Sequence, residues 1–398
     1  MLTNKEIFKR HLGLPSRTPL GVEIVSAEGV RLYGKDGEIF FDLVSGVAVS
    51  NIGHRHPAVI KAIRDQADKY LHLMVYGEII QSPQVQYAKA LCDNLPVNLN
   101  SVYFVNSGSE AIEGALKLSK RYTGRAKIVS FKNAYHGGTA GALSILGNEE
   151  LKNAFRPLPT GIIQLDFNDE NQLEQIDEKV ACVVVECIQA EAGIIFPEND
   201  FLKKLRKRCD KTGALLIVDD IQMGFGRTGK LFSFEHFGIV PDILCLAKAM
   251  GGGLPLGAFI SSKEIMDALT VNPALGHITT FGGHPLCCAA GLASLEVILD
   301  QKLAEKANEK GQKYVDALKD HPGIKEIRQK GLMLAVELKN KDLMPKLHRS
   351  FVENGLLIDS FLFDSKAFRI APPLTINESD ILTTIDQLKK SLDEINLL

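Results

Sequence analysis

The stretch ALLIVDDIQMGFGRTGK (214–230), followed by PDILCLAKAMGGGLPLGA (241–258), decides the fold class. In each segment an apolar run without polar alternation meets a charged residue, Asp219 in the first and Lys248 in the second, and then passes into a glycine-rich loop. A run that is apolar at successive positions is what a strand covered on both faces requires. Similar runs lie outward in both directions: SVYFVN (101–106), AKIVSF (126–131), GIIQLDF (161–167) and VACVVVE (180–186) before it, and GAFISS (257–262) after it. Helical patterns separate many of them, such as Ala111, Ala115, Leu118 and Tyr122, or Leu202, Leu205 and Cys209 ahead of Gly213. Strands and helices alternating in this way predict an α/β fold with a mostly parallel sheet covered by helices.

Beyond Pro285 the pattern changes to a long helical stretch, strand-like runs near 324–338, a helix near 344–354 and the run AFRIAPPLTI. A final helix places Ile381, Ile385, Leu388, Leu392 and Ile395 on one face. The expected organisation is a large domain over 51–285, a smaller C-terminal domain over 286–398, and an N-terminal segment, 1–50, that joins the small domain.

Composition narrows the function classes. The 398 residues are 45% hydrophobic and 24% charged, as in soluble globular proteins. Lys and Arg number 46 against 48 Asp and Glu, so the basic excess of a nucleic-acid binder is absent. No stretch approaches the ~18 apolar residues of a membrane span, and the N-terminus lacks the apolar core of a secretion signal. Seven scattered cysteines, none in C-x-x-C spacing, read as buried thiols of a cytoplasmic protein without a metal site.

Three motifs carry chemistry. FVNSGSEAIEGALKL joins a strand to a helix through Ser107, Gly108 and Ser109, where converging N–H groups and the helix dipole suit a phosphate, although a plain serine-capped turn reads the same way. Asp219 lies at the carboxyl end of a buried strand, where α/β folds place ligand chemistry, whereas Asp220 reads as a cap of the following turn. Lys248 closes another buried strand, and desolvation there would make its amine a usable nucleophile. The match of Gly224–Lys230 to G-x-x-x-x-G-K is rejected as a nucleotide loop, because residue 231 is leucine where magnesium binding needs Ser or Thr. An anion cradle, a strand-end acid and a strand-end lysine together are what pyridoxal phosphate needs for its phosphate, its ring nitrogen and its Schiff base.

These motifs stand in a longer series: SGVAVSNIGHRHPAVIKAI, AYHGGTAGALS, VVECIQAEAGI, TTFGGHPLCCAA and FRIAPPL accompany the three already quoted. In their order and spacing the chain resembles the class III (ω-amino acid) aminotransferases of the fold-type I pyridoxal phosphate enzymes, over nearly its whole length. The resemblance implies a large domain with a mostly parallel seven-stranded sheet and a smaller α+β domain. It implies that Lys248 forms the Schiff base and moves the proton between the substrate carbon and the cofactor, and that Asp219 pairs with the pyridinium nitrogen. Gly108 and Ser109, beside Ser107, would hold the phosphate; Tyr135 and Ile221 would cover the two ring faces; Gln222 would approach the 3-hydroxyl. Thr280 would complete the phosphate site of a partner subunit, which implies a homodimer, with Thr279 beside it at the substrate.

Arg369 in FRIAPPL matches the arginine that takes the α-carboxylate of glutamate or 2-oxoglutarate, and Glu191 in IQAEAG matches the glutamate that pairs with that arginine when the donor's reacting end has no carboxylate. The expected reaction is transfer of a terminal amino group from an ornithine-, acetylornithine- or 4-aminobutyrate-type donor to 2-oxoglutarate by a ping-pong cycle. Three positions depart from the pattern: Gly138 stands where the ornithine-type and acetylornithine-type enzymes carry an arginine for the distal carboxylate, Asp220 where glutamate is usual, and His284 where asparagine is usual. Pyruvate as acceptor, or a decarboxylase or aminomutase reaction on the same fold, stays open as an alternative. Retention of Lys248 and Asp219 speaks against a non-catalytic binding protein.

Overall fold

In the computed structural model, which describes residues 2–396, the seven apolar runs become strands. They are β1 (Ser101–Val105), β2 (Lys127–Phe131), β3 (Ile162–Leu165), β4 (Val180–Val185), β5 (Leu215–Asp219), β6 (Ile243–Leu246) and β7 (Gly257–Ser261). They form one sheet in the order β1-β7-β6-β5-β4-β2-β3. Only β7 is reversed, pairing antiparallel with β1 and β6, while the other neighbours are parallel. Every residue of β4, β5, β6 and β7 is buried, which explains why these runs show no alternation. Each Val, Leu or Ile sealed in this way contributes roughly 1.5–3 kcal/mol.

Parallel pairing has a direct consequence for chemistry. The register sets Val185 opposite Val218 and Asp219 opposite Cys245, so Glu186, Asp219 and Lys248 emerge along the same carboxyl edge of the sheet.

Helix α1 (Gly108–Thr123) begins at Ser107, whose side chain accepts from the Glu110 N–H, and stops at Gly124 in a left-handed conformation, φ 68°. It buries Ala111, Ala115 and Leu118, but the expected fourth member, Tyr122, is exposed in the last turn, where its hydroxyl donates to Glu264. Helix α2 (Phe201–Thr212) buries Leu202, Leu205 and Cys209 before Gly213. The long helical stretch after Pro285 is two helices, α3 (Pro285–Asp300) and α4 (Leu303–Leu318), broken where Lys302 adopts φ 50°.

Strands β8 (Ile324–Lys330), β9 (Met333–Leu338) and β10 (Ala367–Ile370) make a three-stranded antiparallel sheet. Helices α5 (Met344–Glu353) and α6 (Glu378–Asn396) accompany it, and α6 buries Ile381, Ile385, Leu388, Leu392 and Ile395. Residues Ile24–Glu28, Arg31–Gly34 and Ile39–Asp42 form a further sheet that Leu356–Leu357 joins in parallel, so N-terminal and C-terminal chain share hydrogen bonds.

Two sequence expectations need correction. Asp220 does not cap the turn that follows it: its side chain is fully buried and accepts from the Ser233 N–H and hydroxyl, because the loop folds back under the sheet edge. Cys92 is only half-buried, unlike the other six cysteines, and no disulfide occurs among the described residues. Gly224–Lys230 runs through turns and bends, followed only by a single 3-10 turn at Ser233–His236 and by no α-helix of the kind a nucleotide loop needs. Among the described residues no helix is long and apolar enough to cross a membrane, and no cluster of His, Cys, Asp or Glu could hold a metal.

Candidate active site

β6 delivers Lys248 two residues past its end, at φ 52°, a left-handed conformation that costs a non-glycine residue on the order of 1 kcal/mol. Its ammonium pKa is lowered to about 8, chiefly by burial, against the opposing pull of the Glu191 carboxylate. The free-amine fraction near neutral pH is therefore larger than that of an ordinary lysine, as a nucleophilic lysine needs.

β5 delivers Asp219, whose Oδ1 accepts from the Ile221 N–H at 3.1 Å and whose Oδ2 lies 2.7 Å from His136 Nδ1. Burial alone would lower the pKa of His136, but the hydrogen bond and charge of Asp219, aided by Glu186, raise it. The carboxylate thus faces an imidazole held at hydrogen-bond distance. The other ring nitrogen of His136, Nε2, is buried without a partner. Glu186, at the end of β4, accepts the Tyr135 N–H at 2.9 Å and the Ala190 N–H at 2.8 Å, tying together the loops after β2 and β4. Burial pushes its pKa up to about 7, and the nearby Asp219 adds to the shift.

At the start of α1, a Cβ on Gly108 would meet Ile221 Cδ1 at 2.9 Å, so glycine there lets the helix N-terminus approach the loop after β5. Ser109 Oγ accepts from the Thr139 N–H at 3.1 Å and lies 2.7 Å from its hydroxyl. Gly137 at φ 127° closes against it, since a Cβ there would stand 2.4 Å from Ser109 Oγ. Ser107 caps the helix, the plainer of its two sequence readings.

These elements enclose a cavity of about 380 Å³. Ser107, Gly108, Ser109, Tyr135, Glu191, Asp219, Ile221, Gln222 and Lys248 all line it, with Gly138, His136 and Glu186. Thr279, Thr280 and Arg369 do not. Thr279 accepts from Asn106 Nδ2 at 2.9 Å, and Thr280 is exposed. Arg369, on β10 and 2% exposed, connects to the cavity through Glu191: its Nη2 donates to both carboxylate oxygens at 3.0 and 3.1 Å. Glu191 also accepts from Gln222 Nε2 and from the Leu362 N–H, each at 3.0 Å.

Sequence reasoning passed over His136, Glu186 and Asp359. Glu186 follows the same rule as Asp219, a carboxylate ending a buried parallel run, and VACVVVE displays it. His136 carries no periodic signal, because its pairing with Asp219 depends on strand order. Asp359 Oδ1 lies 3.2 Å from Arg369 Nε, a contact made by backbone pairing between segments that no motif links.

The donor set fits pyridoxal phosphate. Helix-start N–H groups beside Gly108 and Ser109 suit its phosphate, the buried Asp219 suits a protonated ring nitrogen, and Lys248 with its lowered pKa suits its aldehyde. Gln222 Oε1 and His136 Nε2, buried without partners in this wall, are further polar atoms for a polar ligand to satisfy. Known proteins agree with this reading. The chain is 39% identical to the acetylornithine aminotransferase of Methanopyrus kandleri over 98% of its length and 96% of that protein's. It is 38% identical to the acetylornithine aminotransferase of Methanocaldococcus jannaschii, covering 97% and 96%. Its fold superposes on the ornithine aminotransferase of Toxoplasma gondii, a structure described with partial occupancy of pyridoxal phosphate at the active site, with a TM-score of 0.91, 30% identity and 99% and 95% coverage. The family model for class III aminotransferases matches residues 14–392, and the chain belongs to that family of pyridoxal-phosphate-dependent transaminases.

Proposed function

We propose that this enzyme transfers the terminal amino group of an ω-amino acid, of ornithine, acetylornithine or 4-aminobutyrate type, to 2-oxoglutarate in a ping-pong cycle. The observation that carries the reading is the buried Glu191–Arg369 pair beside the cavity. A guanidinium fork recognises a carboxylate. While Glu191 holds Arg369, the site suits a donor whose reacting end is an amine on a plain carbon; when Glu191 lets go, the arginine can take the α-carboxylate of a 2-oxo acid. The named aminotransferases among its relatives support the same class of donor.

Pyridoxal phosphate, when bound, supplies an aldehyde that captures the amine and a ring that draws electrons from the bond to be broken. Lys248 would hold the cofactor and then, with its lowered pKa, take and return the proton at the reacting carbon. Asp219, oriented by His136, would keep the ring nitrogen protonated. Ser107, Gly108 and Ser109 would hold the phosphate, Tyr135 and Ile221 the ring faces, and Gln222 the 3-hydroxyl. Thr279 would sit at the substrate.

We also propose a homodimer in which Thr280 completes the neighbour's phosphate site. In support, Thr280 lies in an exposed apolar segment with Val271, Leu275, Ile278 and Phe281, and Leu71 and Ile80 are exposed as well. The free thiols suit a reducing cytoplasm.

Borohydride reduction of the loaded enzyme followed by peptide mapping tests the assignment of Lys248. The label is expected on Lys248, and Lys248→Ala should abolish amine-dependent conversion of the cofactor while retaining noncovalent binding. A label on another lysine would refute it.

A further inference from the structure

Arg369 is held by two carboxylates, not one. Its Nη2 carries Glu191, and its Nε faces Asp359 Oδ1 at 3.2 Å. The second contact is built into the backbone. The Arg369 N–H donates to the Asp359 carbonyl at 2.9 Å, and Ser360 forms an isolated antiparallel bridge with Phe368, so the backbone of Asp359 is held beside Arg369. Phe361 covers the guanidinium face with its ring centroid 4.7 Å from the central carbon. Nη1 is buried without a partner, and the Nε contact with Asp359 is an ion pair without hydrogen-bond alignment, so neither donor is satisfied by a hydrogen bond.

We propose that Asp359 is a specificity-determining residue that weakens the hold of Arg369 on carboxylate substrates and so biases the enzyme toward amine-ended donors over 2-oxo acids. The inference rests on the aminotransferase reading of Arg369. With Glu191 closed, two carboxylates already surround one guanidinium. When a substrate carboxylate displaces Glu191, Glu191 stays in the neighbourhood and three carboxylates share that cation. The extra repulsion includes that of Asp359, whose backbone is held beside Arg369 by its carbonyl and by the bridge at Ser360. An amine-ended donor adds no anion here and is indifferent to Asp359. Asp359 is half-buried, so solvent screens the effect and its size is modest.

Titration provides a second handle. Burial raises the pKa of Asp359 to about 6, opposed by Arg369 and reinforced by Glu191 and Asp42. Below that value Asp359 is neutral and the repulsion disappears. The other charged or titratable groups facing this spot are Asp42 with its partner His54, Arg227, Lys248, and His348, which hydrogen-bonds Ser360 and has its pKa lowered by burial. None of these is altered by replacing Asp359 with a neutral residue, so the variant's own pH series accounts for them.

The test is calorimetric binding of glutarate, an unreactive dicarboxylate, to the pyridoxal phosphate holoenzyme of wild type and Asp359→Asn. Asp359→Ser serves as a second variant if the first fails to load cofactor. At pH 7.5 the variant should bind glutarate about fivefold more tightly, an effect of the size a screened charge pair produces. Wild-type affinity should rise by a similar factor on going to pH 5.5, while the variant should not follow. Turnover with whichever of acetylornithine, ornithine and 4-aminobutyrate is a donor should keep its donor KM within about twofold, while the 2-oxoglutarate KM falls. Equal or weaker glutarate binding by the variant, or a wild-type affinity flat between those pH values, overturns the proposal. Failure of the aminotransferase reading would look different: no donor would convert the cofactor, and the binding comparison would still decide the role of Asp359.

Discussion

Gly138 offers a sharp perturbation of acceptor choice. It lines the cavity, its backbone lies outside the left-handed region, and a Cβ built on it meets nothing within 4 Å. The first side-chain carbon of a substituted residue can therefore be added there without displacing any neighbour. Among the residues lining the cavity, Lys248 and His136 are the only basic ones, and both are engaged in the reaction centre. A 2-oxoglutarate whose α-carboxylate lies at Arg369 thus leaves its distal carboxylate without a cation in these walls. A charge-assisted contact is worth roughly 1.5–3 kcal/mol when well shielded, and the open space around Gly138 argues for the lower end or less. Gly138→Arg should then raise kcat/KM for 2-oxoglutarate by about fivefold to tenfold, and leave pyruvate, which has no distal carboxylate, within about twofold. Steady-state kinetics of the two acceptors, side by side in wild type and variant, read this directly. An equal change for both acceptors, or a selective loss with 2-oxoglutarate, would refute the idea that position 138 adjoins an unmet carboxylate.

Other consequences follow from single contacts. Gly108→Ala places a methyl within 3 Å of Ile221, and the overpacking should cost about 1–3 kcal/mol, read as roughly tenfold weaker pyridoxal phosphate binding in a fluorescence titration; unchanged affinity would remove Gly108 from the cofactor cradle. Thr280→Val should weaken cofactor binding about tenfold or more through loss of one hydrogen bond to a charged group, and a fully active monomer would contradict the shared site. Asp220 tests the buried charge: burial raises its folded pKa to about 7, above the ordinary value of 3.8, so the folded state holds the proton more tightly than the unfolded one. Its contribution is full below the unfolded pKa and is lost as pH rises through about 7. Stability of the wild type relative to Asp220→Asn, which cannot titrate, should therefore fall as pH rises from 5 to 8.5; parallel melting-temperature curves would count against it.

How far the sequence could be read depended on the range of the interaction. β4, β5 and β6 were legible because burial on both faces is a local demand, written into consecutive residues. Asp219 and Lys248 were legible because a charge closing such a run stands out from it. The break between α3 and α4 at Lys302 was not, since nothing local forbids a helix through lysine and only the packed structure imposes the left-handed turn. The pairing of Leu356–Leu357 with Ile39–Asp42 was beyond local reading too, because parallel partners more than three hundred residues apart leave no turn signal between them.

The charge of the partners separates two buried arginines near the site more sharply than burial does. Arg227 and Arg369 are among the largest fully buried side chains, yet they are handled in opposite ways. Arg227 spends its Nη atoms on the carbonyls of Leu332 and Pro372 and on Asn51, neutral partners from three parts of the chain, which makes it a clamp between them. Arg369 meets two carboxylates and leaves Nη1 with no partner at all. A buried donor without a partner costs about 1–3 kcal/mol, and Arg227 Nε bears that cost too, so the carboxylate partners are what set Arg369 apart. His136 Nε2 and Gln222 Oε1 are also buried without partners, and each belongs to a side chain that touches one of the two charged clusters, Asp219 with His136 or Glu191 with Arg369. Lys248 feels the charge of Asp219, Glu191 and Arg369 alike, so its amine responds to a ligand entering either cluster. If Lys248 moves the proton and Arg369 takes the carboxylate, as proposed, the two roles are electrostatically linked, and a change at Asp359 should register at Lys248 as well as at Arg369.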